Sequence, residues 1–501
     1  MTLLFKNVQV VDGSGSKIKT GDVLVKNKRI SAIGSLNKSG IDRVIEGRGA
    51  YCAPGFINVN SDSDHYLTLF DNPEQQDLVL QGVTTIIGGL CGASLAPLLY
   101  GSLESIRKWV NPDSVNVDWH TLEEFLKVLE RRPLSLNFGT LVGHSTIRRA
   151  LIGETLRDLT ENEIKVFMSL LERAFHEGAF GLSVGLGYAH ARQTPYSELR
   201  ELARIVKKYN GIYATHLRNE EEGLFASMHE TMNLVSETGV KALISHFRPL
   251  VGFEDEWQKS FDILDESSKT NMVRADVYPF EQSLVPIYTL LPRWAQNGGL
   301  QLMLNHIRIG AIKERIIKAL PELNAAEIII ATAPGNEYLV HKTLKDFCKT
   351  RAIKSHEEGL VELMNVVNLK ALVLVKNINS TLVLKNIAKK SLWIGSNSAS
   401  FKHDIEVVKP DRALRTFPFF LKYAEEKKGI ALEALIKKMT SEPAKAFGIE
   451  GRGLIKEGMY ADIVLFGGGV VRYVVVNGEV VVEDGNYASK FSGMILRKNT
   501  P

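Results

Sequence analysis

The middle of the chain alternates short apolar runs with amphipathic helical patterns, and this alternation constrains the fold more than any other feature. The apolar runs are rich in β-branched residues, as buried strands are, and include GVTTIIGG (82–89), GIYATH (211–216) and VRADVYP (273–279). Between several of them lie stretches such as ENEIKVFMSLLERAFHEG (161–178), in which apolar residues recur at helical spacing. About eight strand–helix units over roughly 400 residues predict an α/β fold, a (β/α)8 barrel.

The two ends of the chain have a different pattern, that of short alternating strands. The strands end in Gly, Asn or Asp turns, and an Asn-Gly pair near the C-terminus stands between two valine-rich runs, which is a strong hairpin signal. Because neither end has enough strands to cover a sheet by itself, residues 1–53 and 450–501 are expected to form one small all-β domain. Residues 54–449 would form the barrel, and patterns such as GAIKERIIKALPEL indicate a helical insertion at about 284–385.

The composition argues against a nucleic-acid or membrane partner. Lys and Arg number 61 against 57 Asp and Glu, a net charge of +4, and the basic residues are spread along the chain. No apolar run is long enough to span a membrane, and the N-terminus lacks the pattern of a signal peptide. The three cysteines are scattered, which favours a reducing compartment. We therefore expect a cytoplasmic protein that acts on a small molecule; the sequence does not predict its oligomeric state.

Residues with metal-binding side chains stand where several predicted strands end. Cys91 follows GVTTIIGG, His216 ends GIYATH, and His246 ends KALISH (241–246). In a parallel barrel the C-terminal strand ends share one face, and a thiolate with two imidazoles can hold Zn²⁺ while leaving a fourth position for water. The alternative is structural, because a buried cysteine often packs as a small apolar residue and a histidine at a strand end can be a hydrogen-bonding group.

The segment PGFINVNSDSD (54–64) raises a question about this site, because it ends the first predicted barrel strand. Two histidines spaced i and i+2 at such a strand end point to the same side and can hold a metal. Asn60 and Asp62 occupy those two positions here. The segment is therefore either a metal motif that has lost its ligands or a segment that never held a metal.

Further motifs extend along nearly the whole chain. In order, they include QGVTTIIGGLCGASLAP (81–97), YATHLRNE (213–220), ISHFR (244–248), DVYPF (276–280), ATAPGNEYLVHKTLKD (331–346) and MTSEPAKAFGIEGRGLIKEGMYADIVLF (439–466). They resemble, in the same order, the motifs of the D-aminoacylases (N-acyl-D-amino-acid deacylases) of the amidohydrolase superfamily. The resemblance implies a (β/α)8 barrel with a small β domain from both termini, a helical insertion late in the barrel, and hydrolysis of the amide bond of N-acyl-D-amino acids.

The same resemblance implies a metal site. The tightly bound zinc of the family is held by a cysteine and two histidines, which correspond to Cys91, His216 and His246. A His-x-His pair serves a second, weaker metal position in the family, and Asn60 and Asp62 stand at its place. We therefore expect one zinc ion at most.

The catalytic and substrate-binding positions are partly changed. The catalytic aspartate of the family lies in a GSD motif, and its position is Asn397 in this chain; Phe247 and Phe280 also replace polar residues of the family motifs. Substrate-positioning residues of the family correspond to Tyr188, Arg218 and Arg412.

Proton transfer is the step that these departures affect. Asn397 has nearly the shape of an aspartate but is not basic, and general acid–base catalysis contributes about 10²–10⁴-fold. Asp62 and Asp64 are carboxylates near the first strand end, and Asp62 could act as base or as an oxygen ligand; alternatively, this segment is a polar loop or a helix cap. His403 and Asp404 are further candidates to replace the missing base.

Three functions remain open at this point. The first is a deacylase of N-acyl-D-amino acids with one zinc and an altered base. The second is a catalytically degenerate family member that binds metal or ligand without efficient turnover. The third is a structural or partner-binding protein that uses the barrel as a scaffold. The retained metal trio, with Tyr188 and Arg218, favours the first two over the third, and the replacements at Asn60 and Asn397 favour the second over the first. The deacylase is the function that we predict, and the degenerate family member is its alternative.

Overall fold

The computed structural model describes residues 2–37, 39–112, 115–270, 272–402 and 406–499, together with the backbone but not the side chain of residue 268. The candidates His403 and Asp404 lie outside the described residues. The strands are β1 (Thr2–Val10), β2 (Lys19–Lys26), β3 (Arg29–Gly34), β4 (Arg43–Glu46), β5 (Tyr51–Pro54), β6 (Phe56–Asn58), β7 (Val83–Gly88), β8 (Asn137–Thr140), β9 (Val142–Gly143), β10 (Gly181–Gly185), β11 (Ile212–His216), β12 (Lys241–Ile244), β13 (Val273–Val277), β14 (Gln282–Pro286), β15 (Ile328–Thr332), β16 (Leu372–Lys376), β17 (Leu392–Ile394), β18 (Ile463–Gly467), β19 (Val470–Val476), β20 (Glu479–Glu483) and β21 (Asn486–Tyr487).

The α-helices are α1 (Thr68–Asp71), α2 (Gln76–Val79), α3 (Leu122–Glu130), α4 (His144–Ile152), α5 (Glu161–His176), α6 (Tyr196–Lys208), α7 (Leu224–Thr238), α8 (Glu254–Ser267), α9 (Gly299–Arg308), α10 (Gly310–Ala319), α11 (Leu344–Thr350), α12 (His356–Val366), α13 (Ser380–Asn386), α14 (Asp411–Glu425), α15 (Leu432–Met439) and α16 (Ser441–Phe447). Short 3₁₀ helices cover Glu104–Ile106, Ser268–Thr270, Ile287–Leu290, Arg293–Gln296 and Glu337–Leu339. No helix of the described segments is long and apolar enough to cross a membrane.

The barrel strands form two parallel sheets that share one broken strand. One sheet has the order β6-β7-β8 and the other the order β17-β13-β12-β11-β10-β9. Leu141 alone separates β8 from β9, so the two sheets are continuous there. On the other side, Ser61 and Ser398 form a parallel bridge, and the Asn397 N–H donates to the Asn60 carbonyl at 2.9 Å. This is the strand order of a (β/α)8 barrel and confirms the predicted α/β fold class.

The outer helices form because their sequences carry both a start signal and one apolar face. Helix α5 begins with a capping box, in which the Thr160 hydroxyl accepts from the Glu163 N–H and the Glu163 carboxylate accepts from the Thr160 N–H. Its residues Phe167, Leu171 and Phe175 are buried against the barrel. Such helices hold the strands in place, so that the strand ends can carry a site.

Strands from both ends of the chain form one nine-stranded sheet, in which β5 pairs with β18 and Cys52 lies opposite Leu465. The Asn477–Gly478 pair has positive φ at both residues, as a type I′ hairpin between β19 and β20 requires. Residues of both ends therefore bury their valine-rich faces together.

The insertion differs from its expected helical character. It contains helices α9 to α12, but also a three-stranded antiparallel sheet with the order β14-β16-β15. The runs IIIAT (328–332) and LVLVK (372–376) are rich in β-branched residues and form two of these strands. The insertion has its own apolar core, and its sheet closes one side of the barrel mouth.

Candidate active site

Three side chains with metal-binding atoms meet at the C-terminal ends of the barrel strands. Cys91 lies just after β7, His216 ends β11, and His246 lies just after β12. One ligand atom from each lies within 4.8 Å of the others, and Cys91 Sγ is 3.4 Å from His246 Nε2. Among the described residues this is the one group of three or more His, Cys, Asp or Glu with such spacing.

The donor set fits a zinc ion. His216 Nδ1 is buried and has no hydrogen-bond partner among the described residues, so it is an orphaned polar atom that a metal ion could satisfy. Burial raises the pKa of the Cys91 thiol well above its ordinary value, so an adjacent cation would be needed to stabilise the thiolate. One thiolate and two imidazoles suit Zn²⁺, and residues in these three places could hold it.

Backbone strain is concentrated at the same strand ends. Cys91, His246 and Asn397 have φ of 50°, 39° and 43°, in the left-handed region that non-glycine residues rarely adopt. Each such residue costs on the order of 1–3 kcal/mol and persists where the surroundings hold it in place. The strained backbone aims these three side chains at the barrel mouth.

A carboxylate that the sequence did not indicate connects the two histidines. Glu220 Oε2 is 3.3 Å from His216 Nε2, and Glu220 Oε1 is 3.2 Å from His246 Nδ1. The Arg248 guanidinium binds the same carboxylate. Burial alone would raise the pKa of Glu220, but the charge of Arg248 and the contacts with the two histidines hold it well below its usual range. In the sequence, the one signal for Glu220 was that it follows His216 by four residues.

Asn60 does not point to the metal-binding trio but to a buried carboxylate. Its amide donates to both oxygens of Asp276 at 3.1 Å. Burial raises the pKa of Asp276 to about 7, although the hydrogen bond from Asn60 opposes this shift. Asn60 thus uses its amide N–H groups to bind the Asp276 carboxylate at the end of the first barrel strand.

The two aspartates after Asn60 have different surroundings. Asp62 lines the cavity above the barrel, and its Oδ1 is 3.2 Å from His65 Nδ1. Asp64 is buried and accepts the Gly89 N–H at 2.6 Å, which matches the loop-capping alternative. His65 is held in turn, because its Nε2 contacts the Ala93 carbonyl at 3.0 Å and its ring stacks on Trp109.

The structure brings Asn397, Tyr188 and Arg412 to the same cavity. The Tyr188 ring lies 4.9 Å from the His216 ring, measured between centroids. Arg412 Nε donates to the Asn397 carbonyl at 2.8 Å and Arg412 Nη1 donates to the Gln282 carbonyl at 3.2 Å. Within the described part of the chain, the hydrogen bonds of Arg412 thus go to neutral oxygen atoms, which leaves its positive charge available to a ligand.

Arg218 also lines the cavity, but its guanidinium is already paired with a carboxylate of the chain. Its Nε and Nη2 bind the two oxygens of Glu230 at 3.1 and 2.7 Å, and its remaining donors contact the carbonyls of Arg192 and Thr194. The Arg218 guanidinium thus makes a bidentate contact with Glu230, which leaves it less free than Arg412 to bind a substrate carboxylate. Arg192, whose Nη2 contacts the Gly187 carbonyl and the Gln296 side chain, is a second cation at the cavity that faces neutral groups.

The cavity has a volume of about 600 Å³ and combines a polar floor with an apolar wall. The floor contains the trio and the arginines, whereas the wall comes largely from the insertion. The insertion contributes Leu284, Val285, Pro286, Leu290, Leu291, Pro292, Leu320 and Pro321. Cavities of this size accept small organic molecules.

A third strand-end histidine, His144, is structural. Its Nε2 contacts Glu198 Oε1 at 2.7 Å, and both side chains are fully buried away from the trio. A residue at a strand end therefore does not necessarily belong to the site.

The chain matches known proteins over almost all of its length. Residues 118–481 match the amidohydrolase family. A D-aminoacylase from Alcaligenes xylosoxydans xylosoxydans is 27% identical over 99% of this chain and 97% of its own, and an N-acyl-D-aspartate deacylase from the same organism is 28% identical over 91% and 84%.

A solved D-aminoacylase structure is similar over 99% of both chains, with a TM-score of 0.80 and 25% identity. That protein has a binuclear metal centre, with activation by one metal and attenuation by the second. The relatives thus use metals, and the prediction of a hydrolase acting on carbon–nitrogen bonds other than peptide bonds is confirmed at the level of the family. The match to the family over residues 118–481 and the similarity to full-length deacylases together show that this chain belongs to the amidohydrolase family, in its D-aminoacylase branch.

Proposed function

We propose that this protein hydrolyses the amide bond of N-acyl-D-amino acids with one zinc ion held by Cys91, His216 and His246. The observation that carries the proposal is the convergence of these three side chains in a cavity that also presents Arg192 and Arg412, neither of which pairs with a carboxylate of the described residues. The activities of the full-length relatives support the substrate class. Three unpaired cysteines support the proposed cytoplasmic location.

A zinc ion in this place would lower the pKa of water and polarise the substrate carbonyl. The chain itself supplies binding and orientation. Arg412 is suited to hold the substrate carboxylate through charge-assisted hydrogen bonds, beside Asn397. Tyr188 and Trp109 form an aromatic wall, with ring centroids 6.1 Å apart, that limits how the substrate can turn.

Asp62 is the proposed proton acceptor. It lines the cavity, as a base must, and one of its oxygens lies 3.2 Å from His65 Nδ1. The other oxygen can accept the proton of the attacking water and then pass it to the leaving amine. Asn397 cannot take that proton, but its amide can hydrogen-bond the water or the substrate.

The second candidate function is a degenerate deacylase that binds metal or ligand without efficient turnover. It is favoured by Asn397 at the catalytic aspartate position and by the Asn60–Asp276 contact at the first strand end. A role as a partner-binding scaffold has no such supporting contact.

The test is kcat/KM for N-acetyl-D-amino acids and their L enantiomers, with zinc content measured per chain. We expect hydrolysis of the D series, about one zinc per chain, and a loss of about 10²–10⁴-fold in Asp62→Asn. Asp71→Asn, an exposed aspartate outside the cavity, is the matched control and should retain wild-type rates. Zinc binding without turnover of any of these substrates would instead support the degenerate enzyme.

A further inference from the structure

Glu220 is the group around which both metal-binding histidines are arranged. One oxygen of its carboxylate faces each histidine, at 3.3 Å from His216 Nε2 and 3.2 Å from His246 Nδ1. The Arg248 guanidinium pairs with this carboxylate, and a carboxylate in such an ion pair accepts hydrogen bonds and donates none. Each facing nitrogen must therefore carry its hydrogen, which fixes the tautomer of both rings.

The tautomers set in this way are the metal-binding ones. With the hydrogen on Nδ1, His246 presents the lone pair of Nε2 towards Cys91 Sγ, 3.4 Å away. With the hydrogen on Nε2, His216 presents the lone pair of Nδ1, which is the buried atom without a partner. One carboxylate thus leaves opposite ring nitrogens of the two histidines free for the same ion.

Arg248 fixes the carboxylate and connects it to the insertion. Its Nη2 binds Glu220 Oε2, and its Nη1 donates to Ser283 Oγ on β14 at 3.0 Å. The Ser283 hydroxyl in turn donates to Asn377 Oδ1, just after β16, at 2.7 Å. The path from the insertion sheet to the histidines therefore consists of hydrogen bonds between buried or half-buried groups.

We propose that Glu220 is a positioning residue for the metal centre, which holds His216 and His246 in their metal-binding tautomers and is itself oriented by Arg248 and the insertion. The proposal rests on the metal centre of the proposed function. Its structural alternative is that Glu220 merely neutralises the buried charge of Arg248.

The first experiment measures zinc affinity by competition with a chelator. In Glu220→Gln one oxygen remains, so at most one histidine keeps its acceptor, and we expect zinc affinity to fall by about 10–100-fold. Glu221→Gln is the matched control, because Glu221 is the adjacent residue and pairs with Arg293 at the exposed rim. Its zinc affinity should equal that of the wild type.

The second experiment separates positioning from charge neutralisation. Glu220→Gln leaves Arg248 as a buried unpaired cation, which can unfold the protein. The double variant Glu220→Gln with Arg248→Met removes both charges and keeps similar side-chain volume. We expect it to fold and still to bind zinc about 10–100-fold more weakly than the wild type. Its Co²⁺ derivative should show a changed visible spectrum.

Wild-type zinc affinity in the double variant would overturn the proposal, because Glu220 would then serve only as the counter-ion of Arg248. A wild-type protein that binds no zinc would overturn it as well. The readout is metal affinity, so it is independent of turnover. A protein that hydrolyses no N-acyl-D-amino acid but loses zinc affinity in both Glu220 variants would refute the proposed function and support the positioning role.

Discussion

The replacement of Asn397 by Asp restores a carboxylate at the position where the family has its catalytic aspartate, and its effect on rate can be reasoned from the structure. Asn397 lines the cavity and has a φ of 43°, a conformation that Asp tolerates about as well as Asn. The side chains have nearly the same shape, so the change should fit without repacking. The guanidinium of Arg412, which contacts the Asn397 carbonyl, would favour the ionised carboxylate.

We expect Asn397→Asp to raise kcat/KM for N-acetyl-D-amino acids, and the full contribution of general acid–base catalysis, about 10²–10⁴-fold, is the upper limit of the gain, because Asp62 already supplies part of it. The paired change Asn60→His with Asp62→His should give a lower rate than Asn397→Asp, because it rebuilds only a weaker metal position, removes the proposed base Asp62 and breaks the contact with Asp276. The assay is steady-state hydrolysis with zinc supplied, for wild type and both variants.

Two results would refute this reasoning. An unchanged or lower rate in Asn397→Asp, with wild-type zinc content, would mean that a single carboxylate does not complete the site. A wild type that already hydrolyses these substrates rapidly would mean that Asn397 marks no missing base. The loss of activity in Asp62→Asn would then identify the group that replaces it.

Other predictions concern stability, metal and substrate. The pKa of Asp276 is about 7 in the folded state against an ordinary value of 3.8, so the native state binds more protons than the unfolded state between these two pH values. The contribution of Asp276 to the free energy of unfolding should therefore fall as pH rises from about 4 to about 7. In urea titrations, Asp276→Asn should show a smaller decrease in the free energy of unfolding over this pH range than the wild type. Phe175→Ala should lower the free energy of unfolding by about 3–5 kcal/mol, because this fully buried ring stacks on Tyr209. Zinc at 100 times its dissociation constant should stabilise the wild type by about 2.7 kcal/mol in thermal unfolding, and Cys91→Ala should not show this gain. Arg412→Met should raise KM at least about tenfold, since a charge-assisted hydrogen bond contributes about 1.5–3 kcal/mol; an unchanged KM would place the substrate carboxylate elsewhere.

Much of the fold was accessible from local patterns. Period-2 and helical spacing identify strands and helices because side-chain direction repeats along the backbone. Cys91, His216 and His246 could be grouped because the ends of parallel strands share one edge, whatever the details of packing. The insertion was harder, because short β-branched runs among helical patterns, such as residues 328–332, leave strand and helix difficult to separate.

The sequence by itself therefore determined the barrel, the residue types at its mouth, and the absence of a carboxylate at position 397. The tertiary structure decided which of those residues have free donors and acceptors. Arg218 is bound by Glu230, Asn60 by Asp276, and Glu220 stands between two histidines. These partners come from different strands and loops, and a hydrogen bond depends on distances of a few tenths of an ångström that no pattern along the chain encodes.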